Sequence, residues 1–298
     1  CTFGGPAMSD LFITAGTSVW RIRLRCSGIS PTQPPTDPTS PSAEDTTVAP
    51  HSLARSIDEL VRGLVDLVRQ EGITRPKLET TMKWLQELGV TNEWEDLLDV
   101  MGLTHAVDGV TYGAEAAGAT PGTLAGPYYR PGAPHRPLGK LCDDAEPGEV
   151  LQLKGSVTDV GGRVLSGARL EFWGSNHAGL YDFEIAGAPE WLLRGTVYAQ
   201  SPEGNYAVTT RMPGNYSLPA RGPTARFLKF LNRSFVRAAH IHLKVFCDGY
   251  KPLTTQIYFS HDNFAQFDSV RAVQKELMVD VVNGIGTFDI VLMPLSSQ

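Results

Sequence analysis

Two histidines set two residues apart are the most informative chemistry in this chain: Arg237-Ala-Ala-His240-Ile-His242-Leu-Lys-Val. On a β-strand, residues two apart face the same way, so both imidazoles would project side by side. A β protein offers two nitrogen ligands to one metal in this way, although the same pair is compatible with two histidines satisfied inside a core. Upstream, two tyrosines sit in loop-like settings, Gly179-Leu-Tyr181-Asp and Pro213-Gly-Asn-Tyr216-Ser-Leu-Pro219. Alone, each reads as a core or surface aromatic. Together with the histidines they make a donor set that suits ferric iron, because hard anionic phenolates stabilise the higher oxidation state. A phenol with an ordinary pKa of ~10 gives up its proton only to a strong Lewis acid. The chain has no HExxH, no thiol cluster, no GxGxxG, no P-loop and no GxSxG, so zincin, nucleotide and serine-hydrolase readings lack support.

Positioning such a set requires strands, and the pattern supplies them. After Gly109, short runs alternate with dense Gly and Pro punctuation at 150–158, 169–175, 195–199, 206–211, 240–247, 253–259 and 288–293. Seven short strands separated by turns describe an antiparallel β-sandwich. Ahead of them the period is helical. Ile57, Leu60, Val61, Leu64, Leu67 and Val68 recur at three- and four-residue spacing before Gly72. Leu78, Met82, Leu85 and Leu88 mark a second helix after Thr74, and Asn92 with Glu95 opens a third through Leu97, Leu98 and Met101. Three short amphipathic helices in some fifty residues need a surface to pack on: each other, the rest of the chain, or a second copy. The first fifty residues differ. Six prolines fall within 31–50 among Thr, Ser, Asp and Glu, a composition expected to stay disordered. The chain opens on Cys1 rather than methionine, which reads as a fragment, a processed product or a misplaced start. The expected division is a tail at 1–51, a helical region at 52–108 and a sandwich at 109–298.

Composition narrows the classes. The 298 residues are 42% hydrophobic and carry a formal net charge of −6, which argues against nucleic acid as a partner. No apolar run approaches the ~20 residues needed to span a bilayer. Four scattered cysteines (Cys1, Cys26, Cys142, Cys247) form neither a disulfide framework nor a thiol metal site, and point to the cytoplasm. His51, His105, His135, His177 and His261 are read as structural or solvent-facing, and Trp84, Trp94, Trp173 and Trp191 as core.

The motifs GPYYRPGAP (126–134), EFWGSNHAGLYD (171–182), LRGT (193–196), RMPGNYSLPARGPT (211–224), RAAHIHLKV (237–245) and LTTQIYF (253–259) resemble, in order and spacing, the intradiol ring-cleavage dioxygenases. EWEDLLDVMGLTHAVD (93–108) is similar to that group's N-terminal helical region. The resemblance covers about residues 52–294. It implies a mainly β protein whose sandwich is the catalytic domain, and a homodimer joined through the N-terminal helices. It implies Fe(3+) held by Tyr181, Tyr216, His240 and His242, with Arg237 and Gln256 facing the ring and Tyr216 taking a proton. Leu124, Pro127 and Tyr128 match the family's pocket lining, as do Asp99, Leu218 and Val270. Many members read Arg-Pro-Ala-His where this chain has Arg237-Ala238-Ala239-His240, a departure that removes no ligand.

The implied reaction is opening of a catechol-type ring between its hydroxyls by O2, giving a cis,cis-muconate with no NADH. Asp99 and LRGT are similar to the chlorocatechol and hydroxyquinol branches, whereas Gln256 fits the catechol and chlorocatechol branches. A different class, a non-catalytic transthyretin-like binding module, is opposed by the complete four-ligand set. A cupin-like HxH enzyme would need a further Glu and a third His, for which His261 is the only nearby candidate.

Overall fold

The computed structural model describes residues 2–4, 10–15, 18–23, 50–112, 118–218 and 222–295. The chain divides into two compact units, Cys1–Gly72 and Ile73–Gln298. The first holds a three-stranded antiparallel sheet, β1 (Thr2–Gly4), β2 (Asp10–Ala15) and β3 (Ser18–Arg23), and helix α1 (Pro50–Gln70). These strands depart from the expected disordered tail. The runs Leu11-Phe-Ile-Thr and Val19-Trp-Arg-Ile are rich in β-branched and aromatic residues and flank Gly16, a hairpin pattern. The expectation for 24–49 falls outside the described residues. On α1 the apolar stripe is exposed, Leu60 at 69% and Leu64 at 60%.

The second unit begins with α2 (Arg75–Thr91), whose early Pro76 needs no hydrogen-bond donor in the first turn. Asn92 ends it in the left-handed conformation, and Gly102 does the same for α3 (Trp94–Met101). Helix α4 (Leu103–Tyr112) follows at once and was not anticipated by the periodicity, nor was α5 (Pro223–Phe230).

The remaining strands are β4 (Val150–Asp159), β5 (Arg169–Gly174), β6 (Arg194–Tyr198), β7 (Asn205–Arg211), β8 (Tyr216–Ser217), β9 (Val236–Arg237), β10 (His240–Phe246), β11 (Leu253–Phe259), β12 (Met278–Val279), β13 (Val281–Val282), β14 (Ile285–Thr287) and β15 (Ile290–Leu292). All seven expected runs are strands. One sheet runs β12-β11-β10-β5-β6; the other runs β13-β14-β4-β15, with β7 on the opposite edge of β4. Within the expected antiparallel sandwich three pairs are parallel: β12 on β11, and β14 and β15 on β4. In each pair long crossovers separate the two strands, which parallel pairing requires.

Leu151, Leu153 and Val157 of β4 meet Leu170, Phe172, Ile241, Leu243, Val245 and Ile257 in the core between the sheets. Strand alternation then turns His240 and His242 to the outer face of the β10 sheet. Something else must cover them, and two loops do.

Gly155, in the middle of β4, lies so close to the Phe288 carbonyl that an added Cβ would overlap it, and that Cβ would also stand 3.1 Å from the Tyr206 ring. Gly155→Ala should therefore lower stability by ~1–3 kcal/mol through overpacking. Gly63→Ala on α1, where nothing lies within 4 Å, should be neutral or stabilising. Urea unfolding of both variants checks the contrast.

Candidate metal centre

Register places the two histidines. His242 sits opposite Gln256 of β11 and opposite Trp173 of β5, while His240 sits opposite Tyr258. The Trp173 indole stacks on the His242 ring at 4.7 Å and 7°. The His240 and His242 Nε2 atoms lie 3.1 Å apart. Tyr181 Oη stands 3.0 Å from His242 Nε2.

Each tyrosine arrives on a loop braced by its own contacts. Tyr181 ends the loop after β5, where its N–H donates to the Glu184 carboxylate at 2.8 Å. The next residue, Asp182, is buried and receives Arg194 at both oxygens (2.9 and 3.0 Å), with Arg130 at 2.6 Å. Arg194 also donates to the Tyr128 carbonyl at 2.7 Å, so one buried guanidinium ties two walls of the site together. Tyr216 lies on β8 and pairs with Arg237 of β9, so one short ladder sets both side chains. The two loops pass with backbones almost touching. A Cβ on Gly179 (φ +79°) would overlap the Asn215 carbonyl, and one on Gly214 would overlap the His177 carbonyl. Only glycine allows this approach.

Burial holds the His240 imidazole down to about 3, with the Arg237 charge adding to the effect, and holds His242 well below the usual range. Both rings are therefore neutral. His240 Nδ1 donates to the Ala238 carbonyl at 2.5 Å, and His242 has a backbone hydrogen bond to Leu124. With Nδ1 carrying the proton, each Nε2 presents a lone pair, the form a metal needs. Two facing lone pairs repel unless a cation lies between them. Separations of 3.0–3.1 Å fit donors each ~2.0–2.1 Å from one shared ion. Burial raises Tyr181 well above the ordinary phenol value and raises Tyr216 as well, so these phenols ionise only toward a strong Lewis acid. The donor set fits a trivalent metal. Among the described residues, no group of three or more His, Cys, Asp or Glu side chains stands together so as to hold a metal ion.

Arg237 is buried, and each of its three nitrogens makes a hydrogen bond. Its Nε donates to Asp268 Oδ1 at 2.9 Å, Nη1 to Tyr216 Oη at 3.4 Å and Nη2 to Gln256 Oε1 at 2.9 Å. Gln256 Nε2 donates in turn to the Leu124 carbonyl at 2.9 Å.

The residues expected to line a pocket divide into two groups. Leu124, Leu218 and Val270 join Val100 and Leu228 in an apolar cluster against Tyr216. The Tyr128 ring lies 4.6 Å from that of Tyr181. Pro127, however, is exposed, and Asp99 is buried with the Thr104 hydroxyl on its carboxylate. Sequence reasoning gave no role at the site to Arg194, Asp182 or Asp268, and read Trp173 only as core. Of the four expected core tryptophans, Trp173 is fully buried whereas Trp94 is 40% exposed. Asp96 was also missed. Burial, with the neighbouring Asp99 and Glu93 charges, raises its carboxyl to about 6.

Comparison with known proteins bears on the same residues. Residues 124–291 match the family model described as dioxygenase, and 53–119 match that of the catechol dioxygenase N terminus. This chain belongs to the intradiol ring-cleavage dioxygenase family. The dioxygenase is 34% identical over 229 residues to a chlorocatechol 1,2-dioxygenase of Rhodococcus opacus, covering 75% of this chain and 88% of that one. It is 33% identical over 245 residues to a catechol 1,2-dioxygenase of Candida albicans, covering 78% and 80%. Its structure matches the crystal structure of the catechol 1,2-dioxygenase of Acinetobacter radioresistens with a TM-score of 0.72, at 26% identity, over 84% of this chain and 88% of that one.

In this dioxygenase, Asp268→Asn should leave the buried Arg237 charge uncompensated, at a cost of ~3–5 kcal/mol. Burial pushes the Asp268 carboxyl up, but Arg237 outweighs it and holds the group below its ordinary value. A depressed folded pKa gives stability that is fully present above ~4 and lost as pH falls through the folded value. Acid unfolding below pH ~4 should accordingly be shallower in Asp268→Asn than in the parent. Equal acid slopes would show that the pair carries no such linkage.

Proposed function

We propose that this dioxygenase holds ferric iron between Tyr181, Tyr216, His240 and His242 and uses O2 to open catechol-type rings between their two hydroxyls. One observation carries the reading: two neutral imidazole Nε2 atoms and the Tyr181 Oη converge within 3.0–3.1 Å beside a buried Arg237. Ferric iron held there would supply a Lewis acid toward a catechol's hydroxyl oxygens and an electron sink for its ring.

The chain's own residues do the rest. Tyr216 Oη would take a proton from a substrate hydroxyl as a general base. The burial that raises its pKa favours the protonated phenol, so the proton stays where it is delivered. Arg237 remains cationic although buried and faces Tyr216, where it stabilises negative charge on the bound ring. Gln256 couples Arg237 to the Leu124 wall through its two hydrogen bonds. Leu124, Leu218, Val270 and Tyr128 make the apolar lining that keeps water from the reacting carbons.

The exposed α1 stripe supports a homodimer through the N-terminal helices. Free Cys142 and Cys247 agree with the cytoplasm. Among the described residues, no helix is long and apolar enough to cross a membrane.

Two measurements test this reading. The purified protein given catechol and O2 should consume equal amounts of both and form a ring-opened diacid. A protein that binds catechol but leaves it intact would favour the binding-module alternative. For assembly, Leu60→Asp with Leu64→Asp should convert a dimer into a monomer that keeps its metal, as read by light scattering. Losing those leucines removes ~1.5–3 kcal/mol of apolar burial per side chain. An unaltered dimer would retire the stripe as the interface.

A further inference from the structure

The chain ahead of Tyr216 and the chain ahead of His240 meet on one carboxylate. Asp262 lies in the turn that follows β11. Its Oδ2 accepts two hydrogen bonds, from the Ala239 N–H at 2.6 Å and from Asn215 Nδ2 at 2.8 Å. Ala239 immediately precedes His240, and Asn215 immediately precedes Tyr216. Oδ1 of the same carboxylate accepts the Phe264 N–H at 2.9 Å.

The Oδ1 contact is local chemistry: an Asp that accepts the N–H two residues on forms an Asx turn. The Asp262 N–H donates to the Phe259 carbonyl at 3.0 Å, and its carbonyl accepts the Ala265 N–H at 3.1 Å, which completes the turn. None of this needs Oδ2, whose partners lie 23 and 47 residues away. On the His240 side, Oδ2 holds the peptide group between Ala238 and Ala239. The carbonyl of that same peptide takes His240 Nδ1, at 2.5 Å. Because a peptide is planar, fixing its N–H fixes the direction of its carbonyl, and with it the imidazole. On the Tyr216 side, β8 is two residues long and its sheet is the two-stranded β8–β9, a ladder too short to hold itself. The Asn215 side chain tethers β8 at its start, and it also reaches the Arg237 carbonyl at 3.5 Å.

Taking the metal-binding reading above as given, we propose that Asp262 is a positioning residue that sets the geometry between Tyr216 and His240, whose rings stand 5.6 Å apart. It acts on His240 through the 238–239 peptide and on Tyr216 through Asn215. Its charge strengthens both bonds and polarises the peptide, so that the Ala238 carbonyl becomes a better acceptor for the imidazole N–H. Outer partners of this kind fix the orientation of ligands in metal sites generally. An amide at 262 is no substitute. With its oxygen turned to Ala239 and Asn215, its NH2 group would face the Phe264 N–H.

The test reads the phenolate-to-ferric visible band of the iron-loaded full chain without substrate, and the rate at which excess EDTA removes the iron. Asn215→Ala leaves the Asp262 turn and the Ala239 bond in place, so the change it makes reports on the Tyr216 tether. It should shift the band and speed iron release about threefold. Asp262→Ala loses both tethers and should speed release about tenfold, with Asp262→Asn in between. Asn215→Ala combined with Asp262→Ala should release iron within about twofold of Asp262→Ala alone, because the Asn215 bond is already gone. Circular dichroism checks the fold, and if Asp262→Ala does not fold, Asp262→Asn takes its place in the cycle. A band and a release rate that Asn215→Ala leaves unchanged, or a double variant whose effects multiply, overturn the assignment. A parent without iron or visible band fails the metal-binding reading and this inference together, whereas a coloured parent with unaffected variants fails this inference alone.

Discussion

Everything in the site depends on two neutral imidazoles whose Nε2 lone pairs face each other at 3.1 Å. Such a pair is electrostatically unfavourable by itself and becomes favourable only around a cation. The fold imposes it by register: β10 is hydrogen-bonded on both sides, which fixes both Cα–Cβ bonds on one face of the sheet. Trp173 lies flat on His242, and Nδ1 of His240 is anchored to its own strand through the Ala238 carbonyl. On the proposed reading these donor atoms would be set before a metal arrives, which would spare the ordering cost of gathering ligands from a flexible chain.

A sandwich keeps its apolar residues between its sheets, so placing His240 and His242 on an outer face creates a second problem. They must be buried by something other than the core. The Tyr181 and Tyr216 loops solve it by crossing over the β10 sheet, with glycines at the two points where their backbones meet. The resulting low-dielectric pocket raises the phenols and depresses the imidazoles. It also makes Arg237 costly, and the Asp268 carboxylate offsets that charge while leaving Nη1 turned toward Tyr216. Arg194 and Asp182 repeat the arrangement behind Tyr181.

How much of this could be read beforehand follows from the range of the interactions involved. His240 and His242 were legible because period two is local, and the seven main strands because turn residues bracket them. Helix α4 was hidden, since Gly102 ends one helix and the next begins without a linker. The parallel pairings of β12, β14 and β15 depend on crossovers that leave no local trace. Arg194 and Asp268 acquire roles only through partners 12 and 31 residues away. Asp96 and Asp99 lie three residues apart on one helix face, and periodicity cannot separate them; the Thr104 hydroxyl does, by occupying Asp99.

The most direct test of the central claim is metal analysis combined with visible absorption on protein expressed without added metal. The account predicts about one iron per chain and a broad visible band from phenolate-to-ferric charge transfer, since two anionic oxygen donors favour the trivalent ion. That band should weaken or shift in both Tyr181→Phe and Tyr216→Phe, with the iron still bound by the histidines and the remaining tyrosine. Stoichiometric zinc in a colourless protein that still opens catechol, or a band that neither substitution alters, would contradict it.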